Sequence, residues 1–158
     1  MAAQTITGEL AQTYRQIEAL VMPRADVTIE SLHRRQVECL PGKFGLVVTR
    51  IADGEVDAEV ALEPWMLAPN GYLHAASVLL LADTAAGYAS FAHLPDGAKN
   101  FTTIELKSNF LGSARDGKIR AECVAEHLGR TTHVWSATVF GPDDRRIALF
   151  RCTQLILW

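Results

Sequence analysis

Asp83 and His74 stand nine residues apart in the stretch NGYLHAASVLLLADTAAGYAS, which runs from Asn70 to Ser90. Around Asp83 lie Leu80, Leu81, Ala82, Ala86 and Gly87. A carboxylate taken out of water is costly, and burial raises its pKa towards the range of a working base. Asn70, Gly71 and His74 gather where the apolar run begins, and Ala75 and Ala76 keep its first turn small. Unpaired backbone N–H groups at a helix start favour negative charge, a developing oxyanion included. A general base and an oxyanion site would together serve hydrolysis of an acyl group. The competing reading gives Asp83 a local hydrogen bond or a solvent channel. For His74, orienting the preceding loop competes with proton transfer, and orienting is the simpler role.

Spacing sets a condition on this chemistry. On one helix His74 and Asp83 are about 13 Å apart and on opposite sides, and Ala75 is about 12 Å from Asp83. One acyl carbonyl cannot touch both within a single chain. Two such helices packed antiparallel about a two-fold axis would bring one chain's helix start beside the other's Asp83, so the expected site is at a homodimer interface. Ala82, Ala85, Ala86 and Gly87 are small enough to permit that approach.

Other catalytic schemes lack their residues. There is no GxSxG elbow, no GxGxxG or Walker loop, and no HExxH. Cys39, Cys123 and Cys152 show neither CxxC nor His-paired spacing and read as reduced residues of a cytoplasmic protein. His33, His93 and His127 read as surface residues, whereas His133 lies on a strand and is either core-lining or exposed. No metal and no separate cofactor is expected.

The elements that must position Asp83 follow from periodicity. Leu10, Tyr14, Ile17 and Val21 predict a helix over 7–21. Ile29, Leu32, Gln36, Val37 and Leu40 predict a second, stopped by Pro41-Gly42. Val56, Ala58, Val60 and Leu62 alternate with acidic residues, a half-buried strand joined through Asp53-Gly54 to one over 44–51. Two prolines and a glycine make 63–73 a loop, and the long apolar helix fills 74–92. Strands follow over 101–111, 117–127, 131–140 and 145–157. The sum is one α+β domain over 1–158, with a helical extension over 1–40 and a core over 41–158. A helix so apolar must be covered on more than one side, which a six-stranded, mostly antiparallel sheet wrapped around it would do.

Composition narrows the partners. A chain of 158 residues with a net charge of −3 offers no basic footprint for nucleic acid. No apolar run reaches the roughly 20 residues of a membrane span, and the first 16 residues lack the regions of a signal peptide.

The residues that carry these readings, NGYLHAASVLLLADTAAGYAS followed by FTTIELKSNFLGSA, resemble the hotdog-fold acyl-CoA thioesterases of the phenylacetate-degradation type. Their pattern is a Gly-x-x-His-Gly-Gly loop-to-helix start, an Asp or Glu nine residues after the His, then a strand ending in a short turn. The resemblance covers roughly 44–157. It implies that Asp83 is the catalytic carboxylate, general base or nucleophile, that the Ala75 amide forms the oxyanion hole, and that His74 holds the loop. It also implies that Thr103 lies near the nucleophilic water and that Arg130, with Thr131 beside it, meets the coenzyme A arm. Coenzyme A would then be part of the substrate. Asn70, Gly71, Ala76, Leu80 and Phe101 are the further substrate contacts, with Leu79 and Phe110 suiting a medium aliphatic or aromatic acyl group. Here His-Ala-Ala replaces His-Gly-Gly, so the oxyanion amide works only if its backbone has ordinary helical angles. Ala68 stands where some members carry an Asn, six residues before the His. A non-hydrolysing acyl-CoA-binding protein on the same fold is the alternative, and assembly as a dimer or a pair of dimers is expected.

Overall fold

The structure, a computed structural model, describes residues 22–158, so the helix expected over 7–21 lies outside the described residues. The first described helix, α1, spans Ile29–Gln36. Thr28 Oγ1 accepts from the Ser31 amide at 3.1 Å and Ser31 Oγ accepts from the Thr28 amide at 2.9 Å, a reciprocal cap. The helix ends four residues before Leu40, although the apolar pattern continues. A new four-residue helix, α2 at Leu40–Lys43, starts there with Pro41 in its first turn, where a missing N–H costs nothing. Pro41-Gly42 therefore begins a turn instead of stopping one. A Cβ on Gly42 would stand 2.1 Å from the Gln36 carbonyl oxygen, so only glycine lets α2 fold back onto α1.

Strands β1, Val47–Ala52, and β2, Glu55–Ala61, form the expected hairpin through Asp53-Gly54. On β2, Val56, Ala58 and Val60 are buried, as the alternation requires. After the loop comes α3, Ala75–Ala92, then β3 (Asn100–Phe110), β4 (Lys118–Leu128), β5 (Thr132–Phe140) and β6 (Arg146–Leu157). The six strands make one antiparallel sheet in the order β1-β2-β4-β5-β6-β3. Across its inner face lies α3, in contact with all six strands. This is the hotdog arrangement.

The inner face supplies Ile119, Ala121, Cys123, Trp135, Val139 and Phe150, which close over α3. Ala82, Ala85, Ala86 and Gly87 are buried in the same layer. Their small size serves the close seating of helix on sheet, which corrects the expectation that they face a second helix. By length and composition α3 could cross a membrane, but here its apolar residues are those of the core. What stays open is a stripe of half-buried residues: Leu79, Leu80, Asp83, Thr84, Tyr88 and Phe91.

Two histidines are more buried than their sequence setting suggests. His93 is 2% exposed; its Nδ1 lies 2.7 Å from the Ala89 carbonyl oxygen and its Nε2 accepts from the Gly54 amide at 3.0 Å. It pins the end of α3 to the β1–β2 turn. His33 is half-buried and its Nε2 accepts from the Val48 amide at 2.9 Å, tying α1 to β1. His127 is exposed, as expected.

Candidate active site

The loop before α3 is fixed bond by bond. Gly71, at φ +78°, closes a turn by donating to the Ala68 carbonyl at 2.8 Å, a backbone conformation that suits glycine. Asn70 Oδ1 accepts from the Tyr72 amide at 3.2 Å, so its carbonyl builds the loop. The Leu73 amide donates to Ser113 Oγ at 3.1 Å. The Met66 carbonyl accepts both the His74 amide, at 3.1 Å, and Ser77 Oγ, at 2.9 Å.

His74 is the N-cap of α3, with φ −68° and ψ 136°. Its Nδ1 accepts from the Ala76 amide at 3.0 Å, and its carbonyl accepts from the Ser77 amide at 2.9 Å. The imidazole thus consumes one first-turn donor and orients the loop. One amide of the turn is left with no partner among the described residues, that of Ala75, and its residue is exposed. Neither Ala75 nor Ala76 has a positive φ. The condition placed on His-Ala-Ala is met.

Asp83 sits on the open stripe, two turns along. Its Oδ1 is shut off from solvent and has no hydrogen-bond partner among the described residues. Burial pushes its carboxyl above the usual range, and no cation among the described residues pulls it back. Its charge reaches the Cys152 thiol, which burial first and then Asp83 push up to about 12. Phe101 packs one helical turn further, its ring 3.3 Å from where a Gly87 Cβ would be. Thr103 pairs with Gln154 across β3 and β6, on the face of the sheet that meets α3. An apolar groove of about 280 Å3 opens beside Phe101 and is lined by Leu32, Gln36, Tyr88 and Phe91. There the Tyr88 hydroxyl donates to Gln36 Oε1 at 2.7 Å.

Within one chain the structure does not unite every expected residue. His74, Ala75, Ala76, Asn70 and Gly71 lie at one end of α3, Asp83 with Leu80 in its middle, and Arg130 and Thr131 at the other end. His133, two residues past Thr131, contacts Ser90 in the last turns of α3, about 22 Å from Ala75 by helical rise. Arg130 and Thr131 are exposed, and the Arg130 guanidinium lies 4.8 Å over the Trp158 ring. Sequence reasoning passed over Gln154 and Ser90, both fully buried, and left His133 undecided; it is fully buried too. Alternation in CTQLILW puts Cys152, Gln154 and Ile156 on one face, and the structure shows that this face is the inward one. Among the described residues no group of His, Cys, Asp and Glu could hold a metal ion.

A six-stranded sheet wrapped around a central helix that carries the half-buried Asp83 defines the hotdog class of protein. The Thioesterase superfamily model matches residues 70–148, half of the chain, from the loop before α3 into β6. The chain belongs to the Thioesterase superfamily and is a thioester hydrolase. It is 27% identical over 131 residues to the proofreading thioesterase EntH of Cronobacter sakazakii, covering 83% of this chain and 95% of that protein. It is similar to a solved mutant of thioesterase PA1618 from Pseudomonas aeruginosa, with a TM-score of 0.81, 26% identity, and 86% and 98% of the two chains covered. The E. coli PaaI protein of the phenylacetic acid degradation operon shares the fold, with a TM-score of 0.73 at 18% identity over 82% and 90% of the chains.

Proposed function

We propose that this protein hydrolyses acyl-CoA thioesters with an apolar acyl group, at sites shared between two copies of the chain. The observation that carries the reading is the buried, unpartnered Oδ1 of Asp83 on a helix whose first free amide is that of Ala75. The thioester carbonyl oxygen accepts from the Ala75 N–H of one protomer. Asp83 of the partner takes a proton from water as the water attacks the carbonyl carbon, or attacks that carbon itself. The tetrahedral intermediate collapses by breaking the C–S bond, and the thiolate leaves and is protonated. On the nucleophile route water then hydrolyses the resulting anhydride. Removing an oxyanion donor typically costs 10²–10³ in turnover, and loss of the carboxylate should cost at least as much.

Support for the two-chain arrangement comes from β3. It is an edge strand of 11 residues, and Ile104, Leu106 and Phe110 on it are 56%, 43% and 47% exposed. A long apolar edge is a template for pairing, and a second copy would cover it. The same pairing would close the open stripe of α3. The groove beside Phe101 suits a medium aliphatic or aromatic acyl chain, and Arg130 with Thr131 remains the proposed contact for the coenzyme A arm. Three free thiols fit a reducing, cytoplasmic setting.

The test is thiol release from a panel of short, medium and aromatic acyl-CoAs, with wild type and Asp83→Asn side by side. Turnover that falls at least about 100-fold in the variant supports the reading. Equal rates would remove Asp83 from the mechanism.

A further inference from the structure

Two turns past Asp83, where Ser90 meets the sheet, the seam between α3 and the sheet holds polar atoms that the proposed hydrolytic steps do not use. His133 of β5, Gln154 of β6 and Thr103 of β3 lie opposite one another across three neighbouring strands. His133 and Gln154 are both 0% exposed. Among the described residues neither amide atom of Gln154, Oε1 or Nε2, has a hydrogen-bond partner, and nor has His133 Nε2. Three such atoms on one rung are unusual, because buried polar side chains are nearly always paired.

The other side of the row is satisfied. Ser90 of α3 accepts from Trp135 Nε1 at 2.7 Å and lies 3.3 Å from His133 Nδ1. That contact engages Nδ1 in either tautomer and leaves Nε2 for something else. Burial lowers the His133 pKa to about 4, so the ring is neutral. Two residues along β6 from Gln154, about 7 Å, stands Cys152, the thiol that senses the charge of Asp83. One rung the other way, Phe101 closes on Gly87. Along the sheet the unpaired atoms therefore lie between the rungs of Cys152 and Phe101.

The chemistry of the missing partner is constrained. Gln154 Nε2 needs an acceptor and Oε1 needs a donor. A carboxylate or carbonyl leaves Oε1 unmet, and an ammonium leaves Nε2 unmet. A hydroxyl oxygen meets both; a water keeps a second proton for an unprotonated Nε2, whereas an alcohol, its one proton given to Oε1, accepts from Nε2–H of the other tautomer. We propose that Gln154 and His133 hold a hydroxyl oxygen in the seam between α3 and the sheet, on the Ser90 side of Asp83, supplied either by a bound water or by an alcohol on the acyl group being hydrolysed. In this role Gln154 is a positioning or specificity-determining residue. Only the kinetic arm of its test rests on the thioesterase site proposed above.

That test compares wild type and Gln154→Leu on matched thioesters, one acyl chain with a hydroxyl and the same chain without it. If the oxygen comes from substrate, wild type favours the hydroxylated member at least about 10-fold in kcat/KM, and the variant loses that preference while still hydrolysing the plain member. If it comes from water, the preference is absent, and the variant loses about 10-fold in kcat on both members with KM little changed; each figure corresponds to one hydrogen bond to an otherwise unpaired buried group. Rates within threefold on both members, in a variant with native circular dichroism, overturn the proposal. A crystal structure of the wild type is independent of catalysis and of how well the variant folds. An oxygen within hydrogen-bonding distance of both Gln154 and His133 Nε2 supports the proposal, and the two side chains bonded directly to each other overturn it. No hydrolysis of any thioester by wild type would instead count against the proposed site, and the crystal structure would still decide this one.

Discussion

At the residue scale, function and stability oppose each other at Asp83. Burial raises its carboxyl pKa, so the folded chain binds that proton more tightly than the unfolded chain does. Stability is therefore lost as pH rises from the ordinary carboxylate value of 3.8 through the raised one, and the ionised form needed for catalysis is the costly form. Asp83→Asn should melt roughly 2–4 °C higher than wild type at pH 8. The gain should shrink as pH falls and vanish only below 3.8, where Asp83 is protonated in the folded and the unfolded chain alike. Melting curves at the two pH values check this, and a gain that does not depend on pH would assign it to something other than charge. Asp83 stands out in the sequence because a carboxylate among alanines and leucines is chemically out of place, and His74 because it opens that apolar run. Gln154 does not, since its anomaly depends on which face of β6 it occupies, and one apolar strand read alone leaves that parity undecided.

Among the elements, the join of α3 to the sheet matters most, and Ser90 is its polar pin. Ser90→Ala removes the acceptor of the buried Trp135 indole N–H and one neighbour of His133. An orphaned buried donor costs about 1–3 kcal/mol, which urea unfolding of wild type and variant would read directly. A smaller loss would mean that the indole finds another acceptor. Strand order along the chain was readable from alternation, and the boundaries of β3 to β6 fall within one residue of expectation at each end. Two features escaped. Helical periodicity carried α1 through to Leu40, because Val37 and Leu40 keep the apolar spacing while the backbone has already turned. The small residues of α3 carry no label for which neighbour they admit, and the sheet took them.

At the scale of the whole molecule, the proposed site exists only when two chains meet. Ile104→Glu puts a charge on the apolar edge of β3, where the residue is 56% exposed and the monomer loses little by the change. Light scattering should then show the variant as a monomer, and hydrolysis should fall by about 100-fold because Ala75 and Asp83 part company. A monomer that keeps its rate would return the whole site to a single chain.

The sheet order carries a consequence for how the protein comes into being. β3 directly follows α3 in sequence, yet among the described strands it pairs with β6, the last of the six. During synthesis α3 emerges after α1, α2 and the β1–β2 hairpin, while β4 to β6, which cover much of its apolar surface, are still to come. An unsheathed helix of this composition is the kind of segment that chaperones retain. The edge strand proposed for pairing also stays unanchored until β6 has been made. A chain truncated before β6 would then lack both part of the cover of its core and the support of β3, so assembly waits on β6, and copies made only as far as β5 do not yet present β3 as an ordered edge.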